Sequence, residues 1–552
     1  MSRALCALLI FIVSASAQPL LYYRGVTNAA SNMPQTLPGG GIAQGSIFSI
    51  TGSGLGPSGG IDQFIFPLNN SLNGVSVTVS RGAASVSAYP IYADSGLIYA
   101  IMPSNAPLGM ASVKVTRNGA ESNPLPVQIV SSSFGIFSMD GIGMGPGALQ
   151  NGAAAGPVNS PLAAASPDQK VTLWGTGLGP INASDNTMPP AGNLSTEVEV
   201  FVGGQSATVS YHGRSSCCAG MDEIQFTVPA SAPLGCWVPV SVRTAGTTVS
   251  NFVTMAIQKS AGTCSDPANP FSQVIVSGGS AGAFVAVRAT THEDVGTSAP
   301  VDVDTDFQAS TFYSATPTPF PFNSGMSLPP PGTCMEYTVS GDLLGGDPLP
   351  ALNPNGSALN AGSITLTGPN GSQATSLTPP TVFPQFLLGY FGGSIGGSAI
   401  TGSLVLNPGA YKVSSSKGSN IAAFQATLTV PSPITWTGRD SLVTVTRSQP
   451  LTISWTGGSA TDRVGVVGFG EDLPANASTM FVCLASQGAT SITVPPPILA
   501  NLPATRANPL QSPGVIYLVS VPGSAAVAVE ASGLNAGAAL FTYIDGKTVT
   551  YQ

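Results

Sequence analysis

Charge is what this chain has least of. Only 8% of its 552 residues are Asp, Glu, Lys or Arg, and it has two histidines, His212 and His292. The 17 Lys and Arg are outnumbered by 25 Asp and Glu, for a net charge of -8. Without a basic excess there is nothing to neutralise phosphates or an anionic lipid surface, so nucleic acid is not an expected partner. General acid–base chemistry is short of material for the same reason. The chain also lacks any apolar period of 3.6 residues long enough for a sizeable helix, and any long apolar run beyond its first residues. Low charge does not mean disorder here, because 43% of residues are hydrophobic.

The first residues read as an export signal. Arg3 precedes a ten-residue apolar core, Ala4 to Val13, and Ala15-Ser16-Ala17 offers a small-x-small cleavage site before Gln18. The apolar core is too short to cross a bilayer, which takes roughly 20 residues. Residues 1–17 are therefore expected to be a signal peptide cleaved between Ala17 and Gln18. The mature chain should have no membrane span and be secreted or held at the cell surface.

Glycine (66) and proline (48) make up about a fifth of the chain, and their placement shows a repeat. Thr51-Gly52-Ser53-Gly54-Leu55-Gly56-Pro57 returns as Trp174-Gly175-Thr176-Gly177-Leu178-Gly179-Pro180. Each copy follows an apolar run, 46–50 and 170–173, so a strand runs into a turn that glycine permits and proline ends. Downstream, Met102-Pro103 answers Val228-Pro229, and Ala106-Pro107-Leu108-Gly109 answers Ala232-Pro233-Leu234-Gly235. Ser122-Asn123 answers Ser250-Asn251. Alternating runs such as Val75-Ser76-Val77-Thr78-Val79 and Val198-Glu199-Val200-Phe201-Val202 predict short strands. About seven such strands per copy, separated by turns, predict an immunoglobulin-like sandwich.

Asn28-Ala29-Ala30-Ser31, the pattern Ile42 to Pro57 and the later Val-Pro and Pro-x-Gly landmarks resemble an uncharacterised repeat family of secreted acidobacterial proteins. That family is similar to the IPT/TIG branch of immunoglobulin-like folds. The second copy carries the variant Tyr211 to Gly220 with Gly235-Cys236. The resemblance covers about residues 25–260. It implies a fold and a secreted setting, and no activity.

The expected organisation is all-β, with tandem immunoglobulin-like sandwiches: repeat one at 18–130, repeat two at 131–265, a β-rich domain at 266–432 and a C-terminal sandwich at 433–552. The last boundary is drawn at Pro431-Ser432-Pro433. In an exported chain the six cysteines after the signal suggest disulfides. Cys217, Cys218, Cys236 and Cys264 are expected to form two bridges within repeat two. Adjacent Cys217 and Cys218 would each reach one of the other two, since a disulfide wants Cα atoms more than about 4 Å apart. Cys334 and Cys483 pair across domains or stay free. Zinc is the rival reading for the cysteines, but no C-x-x-C occurs and His212 is the one nearby imidazole.

Asp302, Asp304 and Asp306 alternate with Val303 and Thr305, which places three carboxylates on one face of an extended strand. Calcium is the cation that would hold them; a solvated strand edge is the ordinary alternative. Phe307 stands where an EF-hand needs its turn glycine. No other cofactor is expected. Gly278-Gly279-Ser280-Ala281-Gly282 and Gly392-Gly393-Ser394-Ile395-Gly396 match the hydrolase elbow by pattern. No histidine follows Ser394, and His292 lies only twelve residues past Ser280. His212 is expected to make a structural hydrogen bond. Trp174, Trp237, Trp436 and Trp455 would suit a sugar platform, but core packing is expected for Trp174 and Trp237. The functional expectation is a non-catalytic adhesion, scaffolding or ligand-binding protein whose partner is an extracellular glycan or surface protein. The alternative is an extracellular hydrolase in 266–432 built on Asp302, Asp304, Asp306 and Glu336.

Overall fold

The computed structural model describes residues 18–153, 155–293, 301–341, 356–369, 375–377, 389–395, 398–399, 405–472, 476–505 and 514–552. The expected signal peptide, residues 1–17, lies outside them. Among the described residues the regular structure is almost all strand, with α-helices only at Ser272–Ser277 and Pro496–Ala500. It is a tandem β-sandwich protein.

The longer strands of the two repeats correspond. In repeat one the strand Ala84–Ala93 pairs through its first half with Val75–Arg81 and through its second half with Leu97–Ile101. A bulge between Pro90 and Tyr92 turns it from one sheet of the sandwich to the other. In repeat two Gln205–Arg214 does the same between Val198–Val202 and Asp222–Thr227, with its bulge between Val209 and Tyr211. Inward side chains of both sheets close each core: Phe48, Val77, Ile98 and Val113 in the first, Leu173, Val200, Ile224 and Val240 in the second. The repeated Ser-Asn pair has one job in both. Ser122 and Ser250 accept the amides of Val115 and Val242. Asn123 and Asn251 clamp the backbones of Leu21 and Ile136, accepting the amide and donating to the carbonyl.

The boundary expected at 432 is corrected by the sheet topology. A single sheet runs through both segments, in the order Cys334–Ser340, Ala477–Leu484, Arg463–Asp472, Gly514–Val521, Ala536–Tyr551, Gly279–Glu293, Val301–Ala315 and Gly389–Ile395. Its neighbours are antiparallel except for 279–293 with 536–551, which are parallel over twelve residue pairs. Sequence punctuation at 431–433 marks a loop, whereas strand partners are chosen across it. One end of this sheet is covered by the strands of 364–430 over a core of Phe284, Tyr411, Leu428 and Phe541. The other end is covered by Thr435–Thr437, Leu451–Thr456 and Ser491–Val494 over Tyr337, Trp455, Phe481 and Tyr551. Two sandwich cores therefore share one long sheet.

Candidate functional site

The repeated turn is itself a structural site. In repeat one Gly54 has φ 67°, and the turn closes on backbone: the Gly52 amide donates to Gly96 O and the Leu55 amide to Ser95 O. In repeat two Gly177 has φ 110°, and the Gly177 and Leu178 amides both donate to Asp222 Oδ2 at 2.7 Å. Asp222 is completely buried and paired with Arg214, which also donates to Gly179 O at 2.7 Å. Burial pushes the Asp222 carboxyl up to about 6 against the pull of Arg214 and the two amides. The same turn docks on repeat one. The Ile47 amide donates to Thr176 Oγ1, and Asn28 Nδ2 donates to Thr176 O.

The cysteine pairing differs from expectation. Cys217 bonds to its neighbour Cys218, Cys236 to Cys264 and Cys334 to Cys483. The first two close locally because their tight loop returns at once to the sheet, with the Ser215 amide on Met221 O. Cys236 and Cys264 lie buried elsewhere, with Trp237 and Phe271. Cys334 and Cys483 sit directly opposite on paired strands, Cα atoms 4.0 Å apart.

Asp302, Asp304 and Asp306 do share a face, but each is turned to a cation of the protein. Neighbouring strands set residues in rows: Asp306 opposite Arg288, Asp304 opposite Thr290, Asp302 opposite His292. The parallel partner adds Tyr543, Asp545 and Lys547 to the same rows. Arg288 lies 3.3 Å from Asp304 and 3.6 Å from Asp306, and His292 Nδ1 is 2.7 Å from Asp302. Arg439 covers the rows from a turn, 3.3 Å from Asp302 and 2.8 Å from both Asp440 and Asp545. Arg439 holds the Asp440 carboxyl below its ordinary range, while burial raises those of Asp306 and Asp545. Arginines of the protein therefore hold these aspartates together, and no group of three His, Cys, Asp or Glu that could hold a metal ion occurs among the described residues.

Glu336 does not join these aspartates. Its strand lies six positions away across the sheet, roughly 28 Å at about 4.7 Å per strand. A glycosidase needs its two carboxyls within about 10 Å. Glu336 is instead fully buried, accepting Thr338 Oγ1 at 2.8 Å and Asn501 Nδ2 at 3.1 Å. Burial pushes it up to about 8. Asn501 also donates to Ser250 O, which ties repeat two to the long sheet.

The other candidates resolve quietly. The Ser280 hydroxyl donates to Asn535 Oδ1 at 2.9 Å and has no imidazole on it. Ser394 is on a strand opposite Asp306, and Gly396 falls outside the described residues. His212 makes its structural hydrogen bond through the backbone, its amide donating to Asn193 Oδ1, while its ring Nδ1 is buried with no hydrogen-bond partner among the described residues. Burial also lowers its pKa. Trp237, Trp436 and Trp455 are in the cores, and half-buried Trp174 donates to Gln150.

Sequence reasoning missed one cleft, of about 420 Å³, between repeat two and the long sheet. One wall is the loop 139–146, closed by the Met139 amide on Pro146 O. The other is the strap Thr316-Pro317-Thr318-Pro319-Phe320-Pro321-Phe322-Asn323, which Trp237 holds by donating to Pro321 O at 3.0 Å. The dense Thr-Pro-Phe composition of that strap was the available signal.

No family model and no curated protein matches the chain. Among solved structures it overlaps domains 5–6 of the S-layer protein SbsC at 15% identity, over 43% of this chain and 98% of that one, with a TM-score of 0.15. It overlaps the FN1–FN3 domains of chicken CNTN1 at 9% identity, over 71% and 95%, with a TM-score of 0.13. Immunoglobulin domains 1–4 of Sidekick-1 give 11% identity over 97% and 99%, with a TM-score of 0.12. Superpositions this loose carry no argument about function. The fold class rests on the chain's own sheets.

Proposed function

We propose that the chain is a non-catalytic extracellular protein that serves as a stiff binding or scaffolding element, its partner a glycan or a protein of the cell surface. The observation that carries this reading is the engagement of all six cysteines beyond the signal in disulfides. Such bonds persist in oxidising, exported settings. The junction hydrogen bonds of Thr176 and Asn501 are consistent with a chain built to hold its domains in fixed relation. A rigid sandwich array presents its loops for recognition. Among the described residues no helix is long and apolar enough to cross a membrane.

The test uses the purified exported protein with polysaccharides, ester substrates and cell-envelope extracts. Retention on a polysaccharide or envelope fraction without turnover is the expected result. Turnover that survives Ser280→Ala and disappears with Asp304→Asn would replace this reading with a carboxylate hydrolase.

A further inference from the structure

We propose that the cleft between the 139–146 loop and the 316–323 strap binds an organic ammonium group carried on an aromatic or aliphatic body. The inference rests on the binding role proposed above and names a site and ligand chemistry for it. Tyr313, Phe320 and Phe322 line the cleft together with Ile142 and Ile275, and Asp140 supplies its one carboxylate. Its volume of about 420 Å³ suits a small ligand.

The electrostatics choose the sign. Asp140 Oδ1 accepts the Ser138 hydroxyl at 2.7 Å and the Ile142 amide at 3.1 Å, and Asp140 forms no ion pair among the described residues. Asp140 is solvent-exposed at the rim of the cleft; the protein packed beside it still raises its pKa despite those hydrogen bonds, and no cation contributes to the balance. A carboxylate beside apolar walls with no positive partner gains most from a cation brought by the ligand. Aromatic faces favour that same cation. No Lys or Arg lines the cleft, so an anionic ligand would meet only repulsion from Asp140. A neutral sugar would leave many hydroxyls facing apolar rings and prolines.

The cleft is also built before the ligand arrives. Trp237 pins the strap from beneath, and Phe322 lies against Gly145, where a Cβ would come within 3.0 Å of the ring. The loop on the opposite wall is closed by the Met139 amide on Pro146 O and by the Gly143 amide on Ser138 Oγ. Little ordering cost remains for the ligand to meet.

A free amine and a lysine side chain of a surface protein offer the same chemistry. The probes are therefore 2-phenylethylammonium, its neutral analogue 2-phenylethanol, the anion 3-phenylpropionate, and a short acetylated Phe-Lys peptide, titrated into the full exported chain by calorimetry. The ammonium is expected to bind about tenfold or more tighter than the alcohol, the margin of a charge-assisted hydrogen bond, with the anion weakest. Asp140→Asn should abolish that margin and leave the alcohol unchanged, and Phe320→Ala should weaken both. Near-ultraviolet circular dichroism checks that each variant is folded. A peptide that binds more tightly than the free amine assigns the site to a protein-borne group, and the reverse assigns it to a free amine; both support the site. Equal binding of ammonium and alcohol, a margin that survives Asp140→Asn, or no binding by any probe overturns the proposal. Retention on envelope or polysaccharide that persists in Asp140→Asn would show the cleft inference failing while the wider reading stands.

Discussion

Repeat one and repeat two use the same seven-residue turn and satisfy it in opposite ways. In the first, carbonyls of Ser95 and Gly96 take the turn amides, and Arg117 reaches Gly54 O from a part-buried position. Nearby Asp94 caps its own turn, accepting the Gly96 and Leu97 amides. In the second, a buried carboxylate takes the amides and a buried guanidinium takes the carbonyl. The difference follows from place. The first turn lies away from the junction of the repeats, while the second is packed into it, where water cannot solvate loop backbone. Repeat two is also the copy with disulfides, and it meets the long sheet through the Glu336–Asn501–Ser250 chain. Repeat one meets that sheet through an apolar contact of Met33 and Leu37 on Ala477.

The largest way to break the contrast is at Asp222. Asp222→Ala leaves Arg214 buried without a counter-charge and is expected to cost roughly 3–5 kcal/mol in denaturant unfolding. Asp94→Ala in repeat one should cost about 1 kcal/mol. Equal losses would mean that the buried pair adds nothing to the shared turn.

Next comes pH. The carboxyl of Glu336 is raised from 4.5 to about 8 in the fold, so the native state binds the extra proton between those values. Stability from this site is full below about pH 4.5 and falls as pH rises through 8, by roughly 2–4 kcal/mol. Glu336→Gln should flatten that slope in thermal scans between pH 5 and 9, and a slope that survives would place its source elsewhere.

Removing the bridge that closes 28 residues with Cys236→Ser and Cys264→Ser should cost about 3 kcal/mol. Hydrogen exchange should locate the loosening in repeat two and leave repeat one protected. The smallest effect is expected from Arg117→Ala, which removes a single hydrogen bond to Gly54 O and should cost no more than about 1 kcal/mol.

The repeats were legible because their evidence is local. Alternation in 75–79 and 198–202 predicts strands by side-chain period alone, and glycine at 54 and 177 marks positive φ. The Ser-Asn pairs were visible as landmarks, though their clamp on Leu21 and Ile136 needed the fold. What stayed hidden depends on partners far along the chain. Asp302, Asp304 and Asp306 read as three bare carboxylates because strand pairing is needed to set Arg288 against Asp304 and Asp306, and Arg439 reaches Asp302 from more than a hundred residues away. Cys217 and Cys218 were misread by a rule about Cα spacing that a tight loop overrides. The cleft needed two loops from different units, so neither revealed it separately.

The parallel pairing of 279–293 with 536–551 also sets an order of events. Ser280 and Asn535 are hydrogen-bonded across 255 residues, and these two strands sit between the halves of the long sheet. Both repeats can close before the long sheet forms, since their strands pair within themselves. The long sheet cannot, because its middle is completed by two strands whose ends, Ser280 and Asn535, are 255 residues apart. Until the 536–551 strand arrives, the 279–293 strand exposes one edge of unpaired amides and carbonyls, the kind of surface that recruits wrong partners. A chain of this design depends on being kept apart from its copies until the 536–551 strand is paired.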